Sequence, residues 1–187
     1  MLKEQIKNNV IDFLKFGIIA IIIVLPIRFF IAQPFIVSGD SMFPTFHNGE
    51  YLIVDELSYN LNKIHRGDVV IFKYPGDKKK FFIKRIIGLP NETIRITNGE
   101  IEVFPCDKYT DCTSIILDEQ YINEPFNTTT TYSTEDDEYF VLGDNRNRSS
   151  DSRFWGVVPE KLLVGRAYLR LFPLQKISYL PGSLNKY

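Results

Sequence analysis

One serine is the first candidate for covalent chemistry in this sequence. Residues 39–50 read GDSMFPTFHNGE, and Ser41 stands there between an aspartate and a methionine. A serine hydroxyl becomes a nucleophile when a neighbouring group takes its proton. Ser41 is therefore either such a nucleophile or a polar turn residue where the chain leaves an apolar segment. The choice between these readings depends on where a base lies.

The two histidines of the chain are weak candidates for that base. His47 follows Ser41 by a few residues, and His65 precedes a turn at Arg66-Gly67. A Ser-His-Asp triad needs a carboxylate that orients its histidine. No residue near either histidine marks such a partner, so both are interpreted as loop residues.

Lys84 is the stronger candidate. It lies in the segment FFIKRII, where strand alternation puts Phe82, Lys84 and Ile86 on one face. An ammonium group between large apolar side chains is costly unless it is paired or neutral. A neutral amine requires that the pKa fall by several units from about 10.4. The residues alone leave a second explanation open, because edge strands also carry lysines as protection against aggregation.

A polar loop over residues 143–156 reads GDNRNRSSDSRFWG and is the third group of interest. It follows the apolar segment YFVL and contains two aspartates, three arginines and three serines between glycines. Asp151 and Arg153 bracket Ser152, and Phe154 and Trp155 follow them. This pattern favours a loop held in one shape, although composition also allows an ordinary hydrophilic loop.

Short β-like segments must position these groups. The chain is rich in tyrosine and phenylalanine, Asn98-Gly99 is a strong hairpin signal, and helical periodicity after residue 33 is weak. We therefore predict an all-β, antiparallel domain over residues 33–187, with a loop insertion over about 105–137. The predicted strands are Glu50–Val54, Asp68–Tyr74, Phe81–Ile87, Thr93–Thr97, Glu100–Phe104, Tyr139–Leu142 and Leu162–Leu171.

An apolar segment precedes this domain. Residues 16–32, FGIIAIIIVLPIRFFIA, have about the minimum length of a membrane helix, and lysines precede them. We predict a transmembrane anchor, with residues 1–15 cytoplasmic and the β domain outside the cytoplasm. A cleaved signal peptide is disfavoured because Phe30-Ile31-Ala32 is no small-x-small site. A buried core helix is disfavoured because the segment is apolar on every face.

Composition and cysteines narrow the remaining possibilities. The formal net charge is −1, which argues against a dedicated nucleic-acid binder. Cys106 and Cys112 cannot form a four-ligand zinc site alone, and no other ligand cluster suggests a metal or cofactor. Their spacing suits a disulfide-closed loop in an oxidising compartment, and two unpaired thiols are the alternative.

Four segments that follow the anchor, taken together and in this order, resemble bacterial type I signal peptidases. They are QPFIVSGDSMFPT, RGDVVIFKYP, FFIKRIIGLPNE and GDNRNRSSDSRFWG. These enzymes are membrane-anchored serine-lysine proteases that remove signal peptides from exported preproteins. The resemblance runs from the anchor to about Ala167. It implies a coiled β-sheet domain of the signal peptidase and LexA type, in the bacterial plasma membrane.

The resemblance also implies roles for single residues. Ser41 matches the nucleophile, Lys84 matches the general base, and Ser149 matches a serine that hydrogen-bonds the lysine. Gly39 stands where many members have a serine whose hydroxyl helps to bind the oxyanion. The glycine form also occurs in the family. It leaves the Ser41 amide as one donor, with the Gly39 backbone or a water as the second.

Further matches concern support and substrate. Asp151 and Arg153 match residues that brace the site, and Arg85 and Asp144 match a supporting ion pair. The family reads small residues one and three positions before the cut. We expect a substrate strand to lie between walls formed by Phe35, Ile36 and Val37 and by Phe81, Phe82 and Ile83.

Two other functions stay open at this point. A self-cleaving serine-lysine repressor protease of the LexA type would share the β fold, but it would carry a DNA-binding domain and lack an anchor. A membrane-tethered β domain that binds a partner would do no chemistry. The expected partners of the signal peptidase reading are preproteins and membrane lipid, with no nucleic acid, metal or cofactor.

Overall fold

The computed structural model describes residues 2–26, 32–56, 64–105, 112–122, 124 and 126–184. Helix α1 (Leu2–Pro26) is followed by strands in two antiparallel sheets and by a short helix, α2 (Ser152–Trp155). The strands are β1 (Ala32–Ile36), β2 (Tyr51–Asp55), β3 (Val69–Tyr74), β4 (Asp77–Gly88), β5 (Thr93–Thr97), β6 (Glu100–Phe104), β7 (Ile115–Ile116), β8 (Thr130–Ser133), β9 (Glu138–Leu142), β10 (Val158–Pro159), β11 (Leu163–Phe172) and β12 (Ser178–Tyr179).

The larger sheet has the strand order β1-β2-β11-β3-β4-β9-β10, and β12 pairs with β11. Its long central hairpin, β3 and β4, sets Val70 opposite Lys84 and Val69 opposite Arg85. β3 is buried over its first four residues, as its run of Val, Val, Ile and Phe requires. All pairings are antiparallel, so the predicted all-β antiparallel class is confirmed.

The smaller sheet has the order β7-β6-β5-β8. Asn98 and Gly99 join β5 to β6 with φ values of 50° and 87°, which confirms the predicted hairpin. Ile94 and Ile96 of β5 pack with Phe140 of β9 in one buried cluster, so this sheet shares a core with β9.

The stretch 105–137, which we predicted as a loop insertion, contains two strands. β7 pairs with β6, and β8 pairs with β5. Strands of two and four residues show no alternating pattern long enough to detect in a sequence. They form because β5 and β6 offer their edges as templates for pairing. The predicted pairing of Cys106 with Cys112 involves residue 106, which lies outside the described residues, and stays a prediction.

The predicted end of the anchor segment differs from the structure. Ala32, expected as the last residue of the anchor, is the first residue of β1 and lies opposite Asp55 of β2. The expected span 16–32 also includes residues 27–31, which lie outside the described part of the chain. Among the described helices, none combines the length and the apolar character that crossing a membrane requires.

Candidate active site

Hydrogen bonds on both sides of Ser41 hold the turn that carries it. Before it, Gly39 adopts a φ of +87°, and its amide donates to Asn48 Oδ1 over 2.9 Å. A positive φ of this size suits glycine, which has no Cβ. After it, the Ser41 carbonyl accepts a hydrogen bond of 3.0 Å from the Asn145 amide, and Asn145 Nδ2 donates to the Asp40 carbonyl. The backbone around the hydroxyl is therefore held at defined points.

Lys84 reaches this turn from the middle of β4. Its Nζ donates to Ser41 Oγ over 2.7 Å and to the Ile83 carbonyl over 2.9 Å, and the residue is 3% exposed. Burial lowers the pKa of the Lys84 amine from 10.5 to about 8, against the opposing pull of the Asp151 and Asp144 carboxylates. The desolvation of the charged form is the dominant effect. Near neutral pH a usable fraction of the amine is thus unprotonated.

Arg85, the next residue of β4, points to the opposite side of the strand and binds Asp144. The pair is bidentate, with Nε–Oδ1 at 2.8 Å and Nη2–Oδ2 at 2.6 Å. Arg85 also donates to the Gly67 carbonyl, and Thr45 Oγ1 donates to Asp144 Oδ2 over 2.5 Å. Both charged side chains are almost fully buried. The ion pair that the resemblance implies is present, and through Thr45 it also holds the serine turn.

Asp151 and Arg153 hold the polar loop in one shape. Asp151 accepts from Arg153 Nε over 2.8 Å, from Arg153 Nη2 over 2.9 Å and from the Gly143 amide over 3.1 Å. It is also the N-cap residue of α2. Arg153 in turn donates to the Arg146 carbonyl over 2.6 Å. The loop is therefore closed by charge-assisted bonds within itself, as its composition indicated.

Ser149 departs from its expected contact. The resemblance implies a hydrogen bond to Lys84, but Ser149 Oγ is buried without a hydrogen-bond partner in the described part of the chain. Its hydroxyl instead lies over Gly143, where a Cβ would come within 2.1 Å of it. The expected Ser149–Lys84 hydrogen bond is therefore wrong for this conformation.

A cleft of about 520 Å³ opens beside the Ser41 hydroxyl. β1 forms one wall and the Phe81–Lys84 part of β4 forms the other, and the Phe35 and Phe81 rings meet edge to face at 5.4 Å. Every residue predicted as a wall lines this cleft: Phe35, Ile36, Val37, Phe81, Phe82 and Ile83. Residues of the lining that the sequence did not suggest are Ser38, Asp40, Leu52, Ile71, Lys80, Arg148 and Ser150.

Several residues around the site escaped sequence reasoning. Asn48 and Thr45 lie in the quoted serine segment but carry no signal of their own. Asn145 lies in the polar loop and bonds a carbonyl 105 positions away. Glu119 and Tyr121 come from the insertion that was expected as a loop. Partners this distant leave no periodic pattern, so no feature of the sequence marks these five residues.

A serine hydroxyl bonded to a buried amine of lowered pKa, at the floor of an apolar cleft, is an arrangement of serine hydrolases that use a lysine base. The comparisons with known proteins specify the class. The chain matches the family described as signal peptidase, peptidase S26, over residues 10–172. The chain therefore belongs to the signal peptidase family.

Two curated relatives illustrate the similarity. The chain is 36% identical over 185 residues to "Probable signal peptidase I-2" of Synechocystis sp., covering 93% of this chain and 78% of the relative. It is 35% identical over 189 residues to "Signal peptidase I P" of Bacillus subtilis subsp. natto, covering 95% and 97%. A crystal structure of a signal peptidase I from Enterococcus faecalis V583 is 28% identical, with a TM-score of 0.47, and covers 56% of this chain and 97% of that chain.

Proposed function

We propose that this protein is a serine endopeptidase that removes amino-terminal signal peptides from exported preproteins, with Ser41 as nucleophile and Lys84 as general base. The observation that carries the proposal is the 2.7 Å contact between Lys84 Nζ and Ser41 Oγ inside an apolar cleft. Family membership supports the reaction class. The lowered pKa of Lys84 supports its role as the base.

The catalytic cycle uses these two side chains twice. Neutral Lys84 takes the Ser41 proton as Oγ attacks the scissile carbonyl carbon, and the Ser41 amide donates to the oxyanion. The C–N bond then breaks as the Lys84 ammonium returns the proton to the leaving amine. A water molecule, deprotonated by the same amine, attacks the acyl carbon. The bond between that carbon and Ser41 Oγ then breaks as the Lys84 ammonium returns the proton to Oγ, which restores the free enzyme. These steps require no metal or cofactor.

The hydrogen bond made by the Gly39 amide bears on which group is the second oxyanion donor. The Gly39 amide, one of the two expected candidates, already donates to Asn48. We therefore propose that a water molecule supplies the second donor. The Ser41 amide is the donor that the chain itself supplies.

The cleft suits a substrate bound as an added strand. β1 pairs only with β2, and β4 pairs with β9 only from Arg85 onward, so within the described residues both walls present unpaired backbone. An extended peptide can bond such edges while pockets read alternate side chains. We therefore propose that the cleft takes the residues before the cut, and that its apolar walls receive small side chains one and three positions before the scissile bond.

We further propose that residues 16–32 anchor the protein in the bacterial plasma membrane, with the amino terminus cytoplasmic and the catalytic domain outside. Phe16, Ile18, Ile19 and Ile22 of α1 are each more than half exposed, as side chains that face lipid would be. β1 begins where this segment ends, so the cleft lies close to the anchor. Anchoring raises the effective concentration of membrane-bound preproteins.

A cleavage assay tests the proposed function. The full chain in detergent should cleave a fluorogenic peptide with an Ala-x-Ala site, and Ser41→Ala and Lys84→Ala should each abolish cleavage. Lys79→Ala is the matched control, since Lys79 lies on the same strand with an exposed side chain, and it should retain activity. Full activity in Lys84→Ala would refute the assignment of the base. If the unmodified chain does not cleave the peptide, the proposed peptidase activity is refuted.

A further inference from the structure

Two residues of the insertion between β7 and β8 contact the two arginines behind the active site. Glu119 accepts hydrogen bonds from both terminal nitrogens of Arg146, with Nη1–Oε2 at 2.7 Å. Tyr121 donates from Oη to Glu119 Oε1 over 2.5 Å, and its ring lies 4.1 Å from the Arg85 guanidinium carbon. The insertion therefore presents a carboxylate and an aromatic face to two buried cations.

These two arginines hold the segment that packs on the serine turn. Arg146 Nε donates to the Gly143 carbonyl over 3.0 Å, and Arg85 binds Asp144 through both carboxylate oxygens. The segment with Gly143 and Asp144 packs tightly against the turn that carries Ser41, because a Cβ on Gly143 would lie 2.4 Å from the Ser41 carbonyl oxygen. A shift of Gly143 or Asp144 therefore moves Ser41.

The charges of this cluster depend on Glu119 as well. Arg85 and Arg146 are both buried. Burial lowers the pKa of Arg85, the Asp144 carboxylate raises it above the ordinary arginine value, and the charge of Arg146 lowers it. Glu119 is the principal partner of Arg146, and Asp144 also supports its charge. Without the Glu119 carboxylate, Asp144 is shared between two arginines. Asp144 is also one of the carboxylates that favour the ammonium form of Lys84, so the base is affected in turn.

We propose that Glu119 and Tyr121 are positioning residues for the reaction, acting through Arg146 and Arg85 on Ser41 and Lys84. The inference rests on the proposed function and deepens it. In this proposal the insertion contributes to catalysis, although neither Glu119 nor Tyr121 lines the cleft.

The test compares variants of the full chain in the cleavage assay. Glu119→Gln keeps the size of the side chain and removes its charge. We expect kcat to fall about tenfold or more, because small displacements of reacting groups are costly, while KM changes by less than about twofold because the cleft walls are untouched. The acidic limb of the pH profile should move to lower pH, because the ammonium form of Lys84 loses support from Asp144.

Controls separate positioning from simple destabilisation. Asp118→Asn alters a neighbouring exposed carboxylate and should match the unmodified chain. Tyr121→Phe keeps the ring over Arg85 and should retain more kcat than Tyr121→Leu, which loses it. Thermal unfolding is recorded for each variant, and the kcat of Tyr121→Leu relative to that of Tyr121→Phe provides the comparison if Glu119→Gln does not fold.

Two outcomes would overturn the inference. In the first, Glu119→Gln has an unchanged kcat and an unchanged acidic limb or, if it does not fold, Tyr121→Leu retains the same kcat as Tyr121→Phe. In the second, kcat falls only in proportion to a lost folded fraction, with the limb in place. In both cases the proposed function survives if the unmodified chain cleaves the peptide and Ser41→Ala does not. An unmodified chain without activity refutes the proposed function itself.

Discussion

Lys84 Nζ lies 2.7 Å from Ser41 Oγ, although the two residues are 43 positions apart in the sequence. Neither partner needs to move to meet the other. Lys84 stands on a strand paired with β3, and the serine turn is held by the Asn145 amide. The pair is therefore preorganised for proton transfer, which removes the entropic cost of assembling it during the reaction.

The pH dependence of cleavage should follow the titration of Lys84. Because burial lowers the pKa of its amine to about 8, kcat/KM should rise with pH through a midpoint near that value. Asp151→Asn removes a carboxylate that favours the ammonium form, so the midpoint should move to lower pH. The measurement is kcat/KM from pH 5 to 10 for both proteins. A profile that is flat down to about pH 5 contradicts a lysine base.

Replacing Lys84 by methionine should stabilise the fold while it abolishes cleavage. The folded-state pKa of Lys84 lies below its unfolded value, so the unfolded chain binds the proton more tightly and stability rises between about pH 8 and 10.5. Below pH 8 the charged amine destabilises the native state by roughly 3 kcal/mol. Lys84→Met should remove most of this penalty. Urea unfolding should show a difference that is large at pH 7 and small at pH 10.5; a constant difference contradicts the burial effect.

Breaking the Arg85–Asp144 pair from one side should be strongly destabilising. Arg85→Met leaves the Asp144 carboxylate buried with Thr45 as its remaining side-chain hydrogen-bond donor among the described residues, and losing one member of a buried pair costs about 3–5 kcal/mol. The double variant Arg85→Met/Asp144→Leu should recover a large part of that loss. Urea unfolding of both variants measures the difference. A double variant as unstable as the single one would mean that the charge is not the cause.

Gly143→Ala should impair catalysis through the backbone of the serine turn. The added Cβ would meet the Ser41 carbonyl oxygen at 2.4 Å and Ser149 Oγ at 2.1 Å. Ser149 can turn away, but the carbonyl cannot move without Ser41. We expect kcat to fall about a hundredfold. Gly17→Ala in α1, where a Cβ meets nothing within 4 Å, is the control. Activity unchanged by Gly143→Ala would show that the turn is mobile.

Features that depend on neighbouring residues in the sequence were predicted better than features that depend on contacts with distant segments. Strands with clear apolar patterns, such as β3, β5 and β6, were predicted within a few residues, because periodicity is local. β7, β8, β10 and β12 were missed because they are two to four residues long and exist through their partners. β1 was missed as well, because Ala32 was assigned to the anchor and Pro34 is unusual within a strand. The expected Ser149–Lys84 hydrogen bond was wrong, since Ser149 Oγ has no hydrogen-bond partner among the described residues.

By itself, the sequence determined the β class and put Lys84 on an apolar strand face, because strand alternation is a local property. The roles expected for Ser41 and Lys84 and the walls of the cleft came from the resemblance of its motifs to signal peptidases. The tertiary structure alone decided that the two side chains meet, and that burial lowers the pKa of Lys84. It also decided that Glu119 and Tyr121, far away in the chain, support the arginines behind Ser41. Distances and desolvation arise only when distant segments pack together, so no local pattern encodes them.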